Sequence, residues 1–407
     1  MKILVAGDPA SIHATRFVGL LKEIGHDVRV FACEMYYGQD EHLRETTLYV
    51  DHPMAPPGKG NKIVSCKPFK GTYQPWFAIF YRLYSRLSGD PYSAGGYLKR
   101  QSALLITIRH WRPDILFSLK MQNEGYLVAA AKTSAVPGEF PPWIHFCWGT
   151  DIEFFGKHPD YADDHLPRIR QVLSECDFLL TDCRRDSHQA VNFGFHGVSL
   201  GDCIAPGGFD LSLLASLSSQ KAFSRDVIVV KGREGGLVGR ALNVVSALKL
   251  VAPILKGFRI RFVMATESIR QPVAELADKY GLDCQIESRL PYTELLRLYG
   301  QARFTVSASD VDGTPSFLLE SIAMGALPIH SDMESVREWV DDGQNGLLFP
   351  VNDIDVLAAC ISRAVSDNSL IENAQIINRS ITEERIDRDK IRSHVRIFLD
   401  EIISGRA

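Results

Sequence analysis

Residues 227–240 read VIVVKGREGGLVGR, an apolar run followed by a glycine-rich loop and the start of a helical pattern. An uninterrupted apolar run of this length is typical of a strand that is buried on both faces of a parallel sheet. Strands and helices already alternate before this point, so the stretch indicates that the same plan starts a second time. The restart predicts two α/β domains.

The first domain is predicted to begin with a strand at Lys2 to Ala6, a Gly-Asp-Pro turn, a helix that Gly25 ends, and a second strand at 26–33. This order is that of a parallel sheet with short loops. Three later strands of this domain are predicted at 115–119, 143–147 and 178–181.

The second domain is predicted to alternate in the same way. Its strands are expected at 227–230, 259–265, 284–287, 304–307 and 326–330, and its helices at about 240–251, 269–280, 292–301 and 316–324. Pro206-Gly207-Gly208 and a serine-rich stretch break the periodicity near 205–225. We therefore place the domains at 1–210 and 211–384, with a C-terminal helix at 385–407.

The predicted fold class is α/β, with two Rossmann-like, doubly wound domains facing a cleft. A chain of 407 residues exceeds what one hydrophobic core usually organises, which agrees with two domains. In such sheets, ligands bind at the carboxyl ends of the strands. The fold therefore predicts a nucleotide site between the domains.

Cysteine spacing and hydropathy indicate the compartment. The eight cysteines show neither metal-ligand nor disulfide-framework spacing, and the apolar N-terminal run is interrupted at Gly7 and Asp8 before it could form a signal peptide. No apolar run approaches the length that spans a membrane. We expect a cytoplasmic protein with reduced thiols.

Residues 307–320 read SASDVDGTPSFLLE and are predicted to run from a strand into a helix. Backbone N–H groups at Gly313, Thr314 and Ser316 would lie at the helix N-terminus, which favours a pyrophosphate. Glu320 could then accept the hydroxyls of a ribose, and Asp312 the hydroxyls of a donor sugar. Two alternatives are that Asp310 and Asp312 cap the helix while Glu320 faces water, or that Asp-x-Asp binds a metal.

This stretch resembles the E-x7-E region of glycosyltransferase family four, with Glu320 at the second acidic position and Asp312 in place of the first Glu. The resemblance implies a GT-B fold and retaining, metal-independent transfer from a nucleotide sugar, with neither metal nor other cofactor. It assigns nucleotide binding to the C-terminal domain and acceptor binding to the N-terminal one. The implied donor contacts are Gly313, Thr314, Pro315, Ser316 and Phe317.

The loop at 231–240 resembles the Gly-Arg and Lys-Gly pair with which the family holds the donor pyrophosphate. Gly232 and Arg233 match the pattern, whereas Gly239 stands where the family lysine is expected. A guanidinium can grip a phosphate bidentately, so we expect Arg240 to replace that lysine and Lys231 to contribute less.

The donor base is expected near Arg289 and Leu290, because 288–295 resembles the family segment whose backbone suits a uracil.

Residues 148–151 read WGTD and resemble the family His-Gly-Ser-Asp segment, with Trp148 at the histidine position. Asp151 could orient the acceptor, contact the donor sugar, or cap a helix. His13 and Lys120 are further acceptor-side candidates, whereas His145 is expected to be buried. Asp312, Arg233, Arg240 and Asp151 are thus the catalytic candidates.

Residues 51–120 carry eleven Lys and Arg against three Asp, together with several aromatic side chains. A helix predicted at Tyr73 to Leu87 could lie in an anionic membrane surface and bring the protein to a lipid-linked acceptor, or its aromatics could be core. No nucleic-acid partner is expected.

The expected function is transfer of a sugar from a UDP-sugar in polysaccharide or glycolipid synthesis. Two alternatives remain open, namely a non-catalytic protein that binds nucleotide sugars and a sugar-nucleotide epimerase of the same fold.

Overall fold

The computed structural model describes residues 1–33, 43, 45–50, 62–65, 94–202, 207–217, 221–236 and 238–406. The helix predicted at Tyr73 to Leu87 and Pro206 of the predicted boundary lie outside these residues. Packing among the described residues divides the chain into two units. The first comprises 1–182, 186–207 and 394–407, and the second comprises 183–185 and 208–393.

The first unit contains a sheet of eight described strands. These are β1 (Lys2–Gly7), β2 (Asp27–Ala32), β3 (Thr47–Val50), β4 (Lys62–Ser65), β5 (Ile115–Leu119), β6 (Trp143–Cys147), β7 (Phe178–Thr181) and β8 (Val198–Asp202). The helices that precede residue 208 are α1 (Ile12–Glu23), α2 (Ala94–Trp111), α3 (Tyr126–Thr133), α4 (Ala162–Glu175) and α5 (Arg184–Asn192).

All neighbouring strands of this sheet are parallel, in the order β4-β3-β2-β1-β5-β6-β7-β8. Helix α1 begins at the cap residue Ser11, whose hydroxyl accepts the amide hydrogen of Ala14. Phe17 on its inner face packs edge-on against Phe117 and Phe146 of the sheet, with ring centroids 5.4 and 5.1 Å away. Strand order reverses between β1 and β5, so the loops after these two strands flank the position where such sheets bind ligands.

The second unit has its own parallel sheet. Its strands are β9 (Val227–Lys231), β12 (Arg259–Val263), β13 (Asp283–Ile286), β14 (Ala302–Ser307), β15 (Leu327–Ser331) and β16 (Leu347–Phe349), and a small antiparallel hairpin is formed by β10 (Glu234–Gly235) and β11 (Gly239–Arg240). Its helices are α6 (Leu211–Leu217), α7 (Ala241–Leu250), α8 (Arg270–Tyr280), α9 (Tyr292–Gln301), α10 (Ser316–Ala323), α11 (Glu334–Arg337), α12 (Ile354–Ser366) and α13 (Asn368–Ile381). The last helix, α14 (Arg388–Ile403), begins in the second unit, and its residues from His394 onward pack with the first.

The strand order of this sheet is β13-β12-β9-β14-β15-β16, and all its pairs are parallel. Residues 227–230 of β9 and all of β14 are buried, as expected for central strands that are covered on both faces. The order reverses between β9 and β14, whose carboxyl ends are Lys231 and Ser307. The predicted α/β class with two doubly wound units is confirmed.

Within the described part of the chain, no helix combines the length and the apolar character that crossing a bilayer requires.

Candidate functional site

The candidate donor site of the second unit is formed by the two loops that follow β9 and β14. Because the strand order reverses between these strands, their loops diverge and leave room for a ligand. Gly239 forms a bridge to Ser309, and the amide hydrogens of Arg240 and Asp310 bind the carbonyls of Ala308 (3.1 Å) and Val238 (3.1 Å). The glycine-rich hairpin is therefore fixed against the loop that carries Asp312.

Side chains from the neighbouring segment also hold the loop after β14. The Ser335 hydroxyl donates to the carbonyl of Asp312 at 2.8 Å, and the indole N–H of Trp339 donates to the Thr314 hydroxyl at 3.3 Å. Helix α10 then begins after Pro315 without a side-chain cap. Its first backbone N–H groups are consequently the kind of donors that bind an anion.

Glu320 lies one turn inside α10 and is only 4% exposed, so the alternative in which it faces water is wrong. Burial, followed by the charge of the nearby Glu320, raises the pKa of Tyr299 well above its usual value. A carboxylate buried at this position is a hydrogen-bond acceptor shielded from bulk water.

Two acidic side chains of the loop form ion pairs with cations of the β9–α7 segment. Nζ of Lys231 lies 3.3 Å from Oδ2 of Asp312, and the guanidinium of Arg240 is paired with Asp310. Arg240 also donates to the carbonyl of Gly239 at 2.8 Å. The alternative in which the two aspartates only cap the helix does not account for these pairs.

Arg233 is exposed and makes no ion pair with any residue that the structure describes. The backbone of Arg233 explains why residue 239 is a glycine. A Cβ there would lie 2.4 Å from the carbonyl oxygen of Arg233, closer than real side chains come. The lysine that the family pattern places at this position cannot be accommodated while the hairpin keeps its shape.

Arg289 and Leu290 follow β13, at the same carboxyl edge of the sheet as the two loops. Arg289 is exposed and Leu290 is half-buried. Gly232 is buried, and a Cβ on it would meet Cα of Ala265 at 3.0 Å and Cδ1 of Ile269 at 2.8 Å, so this position also needs a glycine.

The acceptor-side candidates lie in the first unit, near the carboxyl ends of β1, β5 and β6. His13 belongs to the first turn of α1 rather than to a loop, and its ring packs edge-on against Trp148 with centroids 5.9 Å apart. Lys120 directly follows β5 with a positive φ of 81°, which is rare for a side chain of this type.

Asp151 is fully buried, and its carboxylate holds two loops together. Oδ2 accepts the amide hydrogens of Met121 (2.9 Å), after β5, and of Trp148 (2.8 Å), after β6. Burial raises the pKa of Asp151 to about 7, although these two hydrogen bonds and Lys120 oppose the shift. Asp151 thus braces the loop that carries Trp148, and a direct contact with substrate stays a prediction.

Among the residues that the structure describes, two groups of buried side chains have potential metal-ligand atoms within 4.8 Å of one another, namely His145 with Cys147 and Asp151, and Asp182 with Cys183 and Asp186. In the first group, Nδ1 of His145 already lies 2.8 Å from the Ser118 hydroxyl, and Oδ2 of Asp151 is used by two amides. His145 is completely buried, as expected from its strand position. We assign the first group a structural role in the loops after β5 and β6.

Part of the candidate donor site lies within a stretch that matches a known family. Residues 239–382 match the model of the family described as glycosyl transferases group 1. This stretch belongs to that family. It contains Arg240, Asp312 and Glu320, so the resemblance found from the motifs is confirmed.

Solved structures with the same fold cover nearly the whole chain. Sucrose-phosphate synthase from Thermosynechococcus elongatus has a TM-score of 0.71 and 14% identity, over 100% of both chains. Anabaena HepE, solved in complex with UDP-glucose, has a TM-score of 0.67 and 13% identity, over 98% of this chain and 100% of that one. At these identities the likeness shows the fold, which is of the GT-B type.

A curated relative matches a smaller part of this chain. The exopolysaccharide phosphotransferase of Streptomyces coelicolor is 27% identical over 133 residues, which are 32% of this chain and 14% of that protein. The chain therefore spans a small part of that relative's length.

Proposed function

We propose that the protein is a retaining glycosyltransferase that moves a sugar from a nucleoside-diphosphate sugar, of the UDP-sugar class, to an acceptor hydroxyl. One observation carries the proposal. The carboxyl ends of β9 and β14, where the strand order reverses, bring together three cations and the uncapped N-terminus of α10, within or next to the family-matching stretch. The cations are Lys231, at the end of β9, and Arg233 and Arg240, in the segment that follows it.

The chemistry assigned to these groups follows from where charge develops. When the sugar leaves, negative charge grows on the diphosphate, and Arg233, Arg240 and the α10 amides would stabilise it. Glu320 would accept the ribose hydroxyls, and Asp312 those of the donor sugar. The acceptor hydroxyl would attack from the face that the diphosphate leaves, which gives retention, and its proton would pass to the leaving phosphate.

Arg240 can take part only if a phosphate replaces Asp310 as its partner. A diphosphate carries more charge than one carboxylate and accepts a bidentate guanidinium, so the exchange is chemically reasonable. The remaining donor contacts are assigned to Gly232, Gly313, Thr314, Pro315, Ser316 and Phe317, with the base near Arg289 and Leu290.

We assign the acceptor to the first unit. Trp148 and His13, whose rings pack together, and Lys120 are the proposed contacts, and Asp151 would keep Trp148 in place. Aromatic rings with a polar edge suit a sugar acceptor, since one face stacks while the edge donates hydrogen bonds.

Release of nucleoside diphosphate from a panel of nucleotide sugars, with and without sugar and lipid-linked acceptors, tests the function. A transferase releases the diphosphate faster when the right acceptor is added, and product NMR then shows whether the anomeric configuration is retained. Binding without release would identify a non-catalytic nucleotide-sugar protein, and an isomerised sugar an epimerase. Because the cations are proposed to replace a metal, a chelator should leave the rate unchanged.

The proposal includes peripheral contact with an anionic membrane through the basic segment 51–120, as part of polysaccharide or glycolipid synthesis at the cytoplasmic face. Sedimentation with anionic and neutral vesicles over a salt series tests it, because salt screens surface attraction. Equal partition onto both vesicle types, or no binding at low salt, would contradict it and favour a soluble acceptor.

A further inference from the structure

We propose that Lys231 is the positioning residue for Asp312 and so makes the site discriminate a nucleotide sugar from the bare nucleotide. This inference rests on the proposed function. The family pattern assigns no role to a cation at this position, the last residue of β9, and the sequence alone gave Lys231 the smaller part.

The carboxylate of Asp312 is held on both oxygens. Oδ2 faces Nζ of Lys231 at 3.3 Å, and Oδ1 accepts the amide hydrogen of Gly313 at 3.1 Å. Ser335 fixes the backbone carbonyl of the same residue. The Asp312 carboxylate is therefore contacted on both oxygens, and of these two contacts the one with Lys231 comes from β9.

Lys231 has little freedom to act elsewhere. Its side chain is only 12% exposed, so its charge needs an anionic partner at all times. Arg240 differs, because its side chain is 33% exposed and its partner is Asp310. The more exposed arginine can exchange partners with a diphosphate, whereas the shielded lysine keeps Asp312.

The neighbouring strand adds no competing charge. Burial, followed by the charge of Lys231, lowers the pKa of His330 to about 4, so the imidazole is neutral at neutral pH. His330 is 1% exposed and lies at the carboxyl end of β15. Lys231 is thus the cation paired with the Asp312 carboxylate. The guanidinium of Arg185 also contacts Asp312, but it donates to the backbone carbonyl, at 2.9 Å.

A shorter acidic side chain makes such support necessary. Asp312 stands where the family has glutamate, and aspartate reaches less far from the backbone. A carboxylate on a shorter side chain can accept hydrogen bonds from the sugar hydroxyls only if its orientation is fixed. Lys231 fixes the orientation of Asp312 without contacting the sugar, and binding of the diphosphate does not need Lys231.

The experiment compares the affinities of UDP and of UDP-glucose, by calorimetric titration, for the wild type, Lys231→Met and Lys231→Arg. Lys249→Met is the matched control, because Lys249 also forms an ion pair within the second unit, with Glu275 at 2.8 Å between α7 and α8. Thermal midpoints verify that each variant folds.

We expect Lys231→Met to weaken binding of UDP-glucose about tenfold while UDP affinity stays within about twofold, as for the loss of one charge-assisted hydrogen bond. Lys231→Arg should restore most of the difference, and Lys249→Met should change neither ligand. Asp312→Asn should show the same selective loss. If Lys231→Met does not fold, Lys231→Gln takes its place in the comparison.

Equal weakening of UDP and UDP-glucose would mean that Lys231 grips the diphosphate directly, and it would overturn the positioning role. Unchanged affinity for both ligands in folded Lys231→Met would overturn it as well. If the wild type binds no nucleoside diphosphate or nucleotide sugar of any base, the proposed function fails first, and this inference fails with it.

Discussion

Asp151 should make the first unit less stable as the pH rises from about 4 to 7. Its pKa is raised from 3.8 to about 7, chiefly by burial, so the folded state holds a proton that the unfolded chain has released. Stability from this group is complete below the unfolded pKa and is lost as pH rises through the folded one. A shift of about 3 units at about 1.4 kcal/mol each corresponds to about 4 kcal/mol.

Asp151→Asn separates this group from the others that titrate. The amide imitates the protonated acid, and its oxygen can still accept the amide hydrogens of Met121 and Trp148. The free energy of unfolding, from urea titrations followed by tryptophan fluorescence, should be similar for the two proteins at pH 4. At pH 8 the variant should be more stable by up to about 4 kcal/mol.

Charged neighbours also shift the pKa of Asp151. Lys120 favours ionised Asp151 and Asp186 opposes it, while the nearby His145 is neutral, since burial lowers its pKa to about 3. Asp160→Asn is the control, because that side chain is 82% exposed in the same unit. If the difference between wild type and Asp151→Asn is the same at every pH from 4 to 8, Asp151 does not titrate there and the reasoning is refuted.

Further predictions concern the donor site. Glu320→Gln should weaken nucleoside-diphosphate binding about tenfold by calorimetry; unchanged affinity in a folded variant would exclude the ribose contact. Arg233→Ala and Arg240→Ala should each lower turnover about tenfold, and full activity of either would remove that arginine from the site. Asp310→Asn should tighten diphosphate binding, because it removes the competitor for Arg240; weaker binding would make Asp310 a ligand contact instead. Gly239→Lys restores the family residue, yet it should lower both the thermal midpoint and turnover, since its Cβ would meet the Arg233 carbonyl; a variant as stable and active as the wild type would show that the hairpin adapts.

The central strands could be predicted from the sequence because burial on both faces leaves uninterrupted apolar runs. The strands at Ile115–Leu119, Trp143–Cys147 and Phe178–Thr181 have the predicted bounds. Short strands at or next to a sheet edge carry weaker signals, and β3, β4, β8 and β16 were not anticipated. The hairpin at 234–240 was expected as a glycine-rich loop, because its pairing depends on glycines with positive φ and on contact with Ser309 in the loop after β14.

The positions of the site residues could be predicted, but their partners could not. Sequence spacing places Arg240, Asp310 and Asp312 in loops at one sheet edge, yet which cation meets which carboxylate depends on how the two loops pack. The burial of Asp151 and Glu320 is likewise a tertiary property, because it depends on which elements pack over each carboxylate.

Three departures from the family pattern can be understood together once the loops are in place. At 239 the carbonyl of Arg233 excludes any side chain, so no lysine can reach the site from there. At 312 the acidic arm is shorter than glutamate, and at 231 a lysine stands 3.3 Å from that carboxylate. Taken one at a time, the first two departures suggest a site that has lost function. Taken with Lys231, they fit the proposed site, in which the acidic group is held from β9 and the arginines would be the diphosphate cations, and the UDP and UDP-glucose titrations test this arrangement.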